Sequence, residues 1–116
     1  MSLLDEKAIR SFEVGHLAIE EAIRFGQIFD NEAHDEPDSV QCAPFPPDGI
    51  KVTLSRDDRR LILFFFGEGR VVFGKKRGVN RVPQGEGELS LAPDALASRQ
   101  EILAWLAEPT ASSQAT

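Results

Sequence analysis

The uninterrupted apolar run from Leu61 to Phe66 constrains this chain more than any other feature. Counted at a period of two, it puts Leu61, Leu63 and Phe65 on one face and Ile62, Phe64 and Phe66 on the other. Such a segment is predicted to be a strand in the middle of a sheet, covered on both sides. Its neighbours follow from the flanking pattern. Ile50, Val52 and Leu54 alternate with Lys51, Thr53 and Ser55, which describes a strand with one dry and one wet face, and Asp57-Asp58 supplies the turn between the two. Beyond the run, Gly67-Glu68-Gly69 turns the chain into a strand over 70–75. A turn at Lys76-Arg77-Gly78 leads to a short segment over 79–82, and 88–91 closes the sheet after a loop at 83–87. Turns this short join antiparallel neighbours, so the spacing predicts a meander of four or five strands.

Residues 1–33 read as one long helix. Ser2-Leu3-Leu4-Asp5 has capping-box spacing, and no proline follows before Pro37. Ala8, Phe12, Ile19, Ala22, Ile23 and Gly26 share a face, which Phe25, Ile28 and Phe29 widen toward the end. Gly15 and Gly26 each cost about 1 kcal/mol relative to alanine inside a helix, so either a break near Gly15 or a close backbone approach accounts for them. Residues 31–49, with Pro37, Pro44, Pro46 and Pro47, read as a proline-rich connector. At the other end Ser98-Arg99-Gln100-Glu101 forms a second capping box. It opens a helix whose apolar residues are Ile102, Leu103, Trp105 and Leu106, stopped by Pro109. The expected architecture is α+β: a long N-terminal helix, a four- to five-stranded antiparallel meander sheet and a C-terminal helix. It forms a single domain over 1–109, with 110–116 as a disordered tail.

With 116 residues the chain is sized for one core rather than two. A six-residue apolar run is far below the roughly 20 needed to span a bilayer, and the N-terminus lacks a basic leader, so the expectation is a soluble, cytoplasmic protein without membrane contact. Cys42 is the only cysteine, which excludes an intrachain disulfide and a multi-cysteine zinc site within one chain. The net charge of -6 is unevenly laid out. Residues 1–36 hold nine acids and three bases, 61–83 hold one acid and five bases, and 84–116 hold five acids and one base. A basic hairpin thus lies between two acidic helical ends.

The basic cluster Lys75, Lys76, Arg77 and Arg81 is the candidate site for a phosphate or a nucleic-acid backbone, because flexible and forked cations meet phosphate oxygens well. The competing readings are an edge hairpin kept from aggregating by its charges, and a contact with the acidic first helix. No aromatic stacking platform accompanies the cluster, which disfavours single-strand binding. Phe64, Phe66, Phe73 and Trp105 are the candidates for an apolar ligand pocket or protein interface if the helices leave sheet surface uncovered, and are core otherwise.

His16 and Glu20 sit i, i+4, one turn after Glu13, and are weak candidate metal ligands. On a continuous helix His34 lies about 27 Å from His16, too far to join them. Cys42, in a flexible stretch rich in acids, lacks the cationic field that a nucleophilic thiolate needs, and His34 is its one conceivable base. Gly67-Glu68-Gly69 and Gly85-Glu86-Gly87 read as tight turns, since a carboxylate between the glycines would repel an anion. Asp57-Asp58 reads as a turn rather than an acid–base pair.

No catalytic constellation emerges, and no cofactor or metal is implied. The leading expectation is a non-enzymatic protein-binding module of inhibitor, immunity-like or chaperone-like type, with another protein or a second copy of itself as partner. Two alternatives stand beside it: a phosphate or nucleic-acid binder through the hairpin 75–81, and a small enzyme or ligand carrier using a Phe-lined sheet face.

Overall fold

Alternation at period two is realised as a five-stranded antiparallel meander, in a computed structural model that describes residues 4–32, 37–45, 48–67, 70–78, 82–90 and 96–107. The strands are β1 (Ser39–Phe45), β2 (Gly49–Arg56), β3 (Arg59–Phe65), β4 (Arg70–Arg77) and β5 (Val82–Ser90), each hydrogen-bonded to the next in chain order. Two helices, α1 (Glu6–Arg10) and α2 (His16–Glu32), precede the sheet, and α3 (Leu96–Ala107) follows it. The architecture is α+β, as the sequence implies.

Register decides which side chains share a face. Val52 pairs with Leu63 and Leu63 with Phe73; Ile50 pairs with Phe65, Phe65 with Val71 and Val71 with Leu89. This face is the core: Ile50, Val52, Leu54, Leu61, Leu63, Phe65 and Val71 are fully buried. The apolar arc of α2 covers it through Ile19, Ala22, Ile23, Phe25 and Phe29, with the Phe25 ring 5.5 Å from that of Phe65, and α3 adds Ile102 and Leu106. Each large apolar side chain removed from water in this way stabilises the fold by about 1.5–3 kcal/mol.

The expected long helix is interrupted over residues 11–15. Asp5 caps α1, its carboxylate accepting from the Ala8 amide at 3.2 Å, and Ser11 closes it. The Gly15 amide then donates to the Asp48 carbonyl at 3.3 Å, and its own carbonyl accepts from Ala18 and Ile19 to start α2. A Cβ on Gly15 would lie 3.4 Å from that Asp48 oxygen, so the break lies where the chain needs a close backbone approach. Gly26 does the same for packing, because Leu4 lies 3.2 Å from where its Cβ would be. The Ser2 end of the predicted capping box falls outside the described residues.

Three further expectations need correction. The connector over 31–49 contains a strand: β1 pairs with β2 from Ser39–Ser55 to Phe45–Gly49, and tolerates Pro44 because it is a sheet edge. Val82 and residues 88–90 belong to one strand, since β5 runs through the expected loop and the Gly85-Glu86-Gly87 turn; the rest of the two expected segments, 79–81 and 91, lies outside the described residues. A register shift between Lys75 and Lys76 absorbs the irregularity there, with Pro83 beside Lys76 on the other edge strand. Finally, α3 begins at Leu96, which places Ser98 inside the helix rather than at its cap; Arg99 is buried and donates to the Ser90 carbonyl at 3.0 Å. The tail 110–116 lies outside the described residues.

Candidate functional site on the open sheet face

The outward face of the sheet carries what the sequence places there, but not the cover it predicts. Ala43, Lys51, Phe64, Val72 and Glu88 form one row across the strands, and Gln41, Thr53, Ile62, Gly74 and Glu86 form the next. Ile62, Phe64 and Val72 are only half-buried, against the full burial of Leu61, Leu63 and Phe65 on the other side. Among the described residues both α2 and α3 pack on the inner face, so the expectation of a doubly covered central strand is overturned. A strand with two apolar faces has here one face in the core and one toward solvent.

At the end of this face the phenylalanine rings gather. Phe45 lies edge-on to Phe64 at 4.9 Å and to Phe66 at 6.1 Å, while Phe64 and Phe66 are parallel within 5° at 6.4 Å. Gly49, opposite Phe45, leaves the space they occupy, since its Cβ would stand 2.9 Å from the Phe66 ring. Phe45 and Phe66 expose 37% and 39% of their surface. Leu17, 66% exposed, lies at the same end, because it packs against Gly67, the residue after Phe66. A cluster of exposed aromatic rings is the kind of surface that marks a protein contact.

The interface candidates therefore divide. Phe64 and Phe66 belong to the open face, whereas Phe73 and Trp105 lie on the inner side among residues packed against the core. Phe45 joins the open-face cluster and was hidden in the sequence by the prolines around it. Trp105 has a different role: the Arg59 guanidinium stands 5.5 Å and the Lys75 ammonium 5.4 Å from its ring centroid.

The basic cluster is likewise divided by the pleat. Lys75 points to the inner side, toward Trp105, and Lys76 to the open face, where it is opposite Arg60. Arg77 binds Asp58 across the β2–β3 turn at 3.3 Å, and Arg81 lies outside the described residues. The three described cations do not converge on one anion. Asp57 takes a positive φ of 54° and donates its amide to Asp38 at 2.8 Å, so the Asp57-Asp58 pair is the turn the sequence indicates.

Among the described residues no group of three His, Cys, Asp or Glu side chains could hold a metal ion. His16 is exposed at the start of α2, Glu20 is bound to Arg10 at 3.0 Å, and His34 lies outside the described residues. Cys42 is not in a flexible loop but on β1, half-buried against the core; burial, and then the nearby Asp5 carboxylate, push its thiol up from the ordinary value, away from thiolate reactivity. The Gly67 amide donates to Glu21 at 3.1 Å, which ties that buried carboxylate on α2 to the chain just beyond β3.

Two cavities are lined by described residues alone. A crevice between α2 and α3, walled by Phe25, Phe29, Leu61, Leu63, Leu89 and Ile102, has a volume of about 10 Å³. A groove beside Leu4, Ile23 and Gly26 has about 140 Å³. Small-molecule sites usually run to about 300–1,000 Å³. No helix among the described residues is long and apolar enough to cross a membrane. No family model, no curated protein and no solved structure matches the chain.

Proposed function

We propose that this chain is a non-enzymatic protein-binding module whose contact surface is the open face of its sheet. The observation that carries the reading is the cluster of Phe45, Phe64 and Phe66, with Ile62 and Val72 beside it, on the face opposite the one that α2 and α3 cover. Aromatic side chains held on a hydrogen-bonded sheet bury much area at little cost in conformational entropy, which suits them to anchor a polypeptide partner. Lys51, Arg60, Lys76, Glu86 and Glu88 stand around the apolar centre, giving it the polar border common to such contacts.

The phosphate or nucleic-acid reading finds less support, since Lys75 and Arg77 are turned to Trp105 and Asp58. The ligand-carrier reading finds less again, because the rings lie on an open surface rather than around a cavity.

Comparative capture tests the proposal. Wild-type chain and a Phe64→Asp variant, matched for circular dichroism, are immobilised and exposed to the same extract or to soluble chain. The reading expects polypeptides that the wild type retains and the variant loses. Identical retention by both would overturn it.

A further inference from the structure

On the open face the central pair is Phe64 on β3 beside Val72 on β4, and in the next row Ile62 lies beside Gly74. A Cβ on Gly74 would meet no atom within 4 Å, so the surface has a dimple there, next to the Ile62 side chain. Charge is arranged across the strands rather than along them. Lys51 is on β2, one strand to one side of Phe64, and Glu86 and Glu88 are on β5, one strand to the other side of Val72 and Gly74. Glu88 also interacts within its own chain. Arg60 and Lys76 form a further pair one row beyond Ile62 and Gly74.

Resting on the reading of this face as a protein-contact surface, we infer that its occupant is a second copy of this chain, related by a two-fold axis parallel to the strands and passing between β3 and β4. That operation lays β2 over the second copy's β5 and β3 over its β4. Lys51 then faces the second copy's Glu88, with Glu86 one row away, and the contact is made twice. Phe64 meets Val72, and Ile62 enters the dimple at Gly74. An axis across the strands would instead stack β5 on β5 and bring glutamates together. The strand-parallel axis joins Lys51 to Glu88 twice and seats Ile62 at Gly74, the self-complementarity that a two-fold contact requires. The same operation brings Arg60 over the second copy's Lys76 at one end of the overlap, where their long side chains extend into water.

The area suits weak association. With the axis between β3 and β4, strands β2 to β5 overlap and β1 extends beyond them; four strands of about seven residues, at about 4.8 Å between strands and about 3.3 Å per residue, present about 440 Å² in plan. Two copies together thus cover about 900 Å², in the range of small, transient interfaces. The dimer is accordingly one that dissociates on dilution.

Sedimentation equilibrium of the full chain over a dilution series tests the inference. The wild type is expected to approach twice the 12.8 kDa chain mass at the concentrated end. Lys51→Glu alone, and Glu86→Lys with Glu88→Lys, should each weaken association by about tenfold or more, since each places like charges across the interface twice. Mixing the two variants should restore it, because every reversed charge then meets its opposite. A wild type that is monomeric throughout, or a dimer indifferent to both charge reversals and to Phe64→Asp, overturns the inference. Neither the mass nor the mixing depends on capturing another protein. A monomer that still retains polypeptides in a Phe64-dependent manner refutes self-association and leaves the protein-binding reading standing; a monomer that retains none refutes both.

Discussion

Two phenylalanines adjacent in sequence, Phe64 and Phe65, should differ several-fold in what their loss costs. Phe65 is fully buried, with the Phe25 ring 5.5 Å away, and lies between Ile50 and Val71 in the register. Truncation to alanine removes a whole ring from a packed layer, and about 3–5 kcal/mol should be lost. Phe64 stands on the other face, half-buried, its ring neighbours Phe45 and Phe66 each more than a third exposed. Its truncation forfeits only part of that burial and leaves no sealed cavity, so about 1–2 kcal/mol is expected in dilute solution. A domain of 116 residues has about 6–17 kcal/mol in all, so the Phe65→Ala loss is a large fraction of the total. At roughly 3–6 °C per kcal/mol, Phe65→Ala should lower the melting temperature by about 10–25 °C and Phe64→Ala by under about 10 °C. Urea denaturation followed by circular dichroism at several protein concentrations measures both. The Phe64→Ala deficit should grow with concentration, as a dimer that the variant cannot form comes to stabilise the wild type, while the Phe65→Ala deficit in dilute chain stays large. Equal losses for the two variants at the lowest concentration would refute the reasoning, because they would mean that the outer face is packed as tightly as the inner.

Gly67→Ala should destabilise by about 1–3 kcal/mol, because Gly67 has a φ of 78° and an added Cβ would lie 2.5 Å from that of Leu17; thermal melts against Gly74→Ala, which meets open space and should be neutral or slightly stabilising, isolate the effect. The raised thiol of Cys42 makes stability fall with pH on the alkaline side. Above the ordinary value of 9.0 the unfolded chain loses the proton that the folded chain still holds, so the loss begins there and levels off above the folded pKa. Cys42→Ala should flatten that segment of a pH–stability curve, and an unchanged slope would contradict the burial argument. Asp58→Asn, which breaks a 3.3 Å ion pair with Arg77 whose side chains are about a third exposed, should cost less than about 1 kcal/mol in the same denaturation assay.

The α+β architecture was legible because Leu61 to Phe66 and the alternation of Ile50, Val52 and Leu54 admit little besides a sheet, and because α2 and α3 carry broad apolar arcs. Strand β1 was not. Pro44 and the flanking prolines signal extended backbone without a partner, and only the pairing of Cys42 with Val52 shows that the segment completes a sheet edge. The same blindness hid Phe45 from the candidate site. Phe64 and Phe66 were identifiable as candidates, but apolar pattern alone does not distinguish a second buried layer from an open face. The cluster 75–81 misled for a related reason: neighbours in sequence on a strand point to opposite sides, so Lys75 and Lys76 share a charge without sharing a site.

The inner half of that basic charge has a structural explanation. α3 has no basic residue in its last turn, so the carbonyls that a helix end leaves without intrahelical partners must be met from outside. Arg59, only 1% exposed at the start of β3, donates Nη1 to the Trp105 carbonyl at 2.5 Å, and its guanidinium lies over the Trp105 ring. A cation at the C-terminal end of a helix is also favoured by the helix dipole. Lys75 joins from β4, its stem passing over β5 where Gly85 lies opposite, 3.3 Å from where a Cβ would be. Arg59 thus ties the last turn of α3 to the sheet at the row where the inner face ends, in a position that the alternation of Leu61 and Leu63 would otherwise give to an apolar residue. Of the cations that looked in the sequence like an anion site, Lys75 thus joins Arg59 at α3 on the inner face, while Lys51, Arg60 and Lys76 on the outer side border the phenylalanines. The basic middle of the chain serves two faces of one sheet, and only the outer set stands beside the exposed rings.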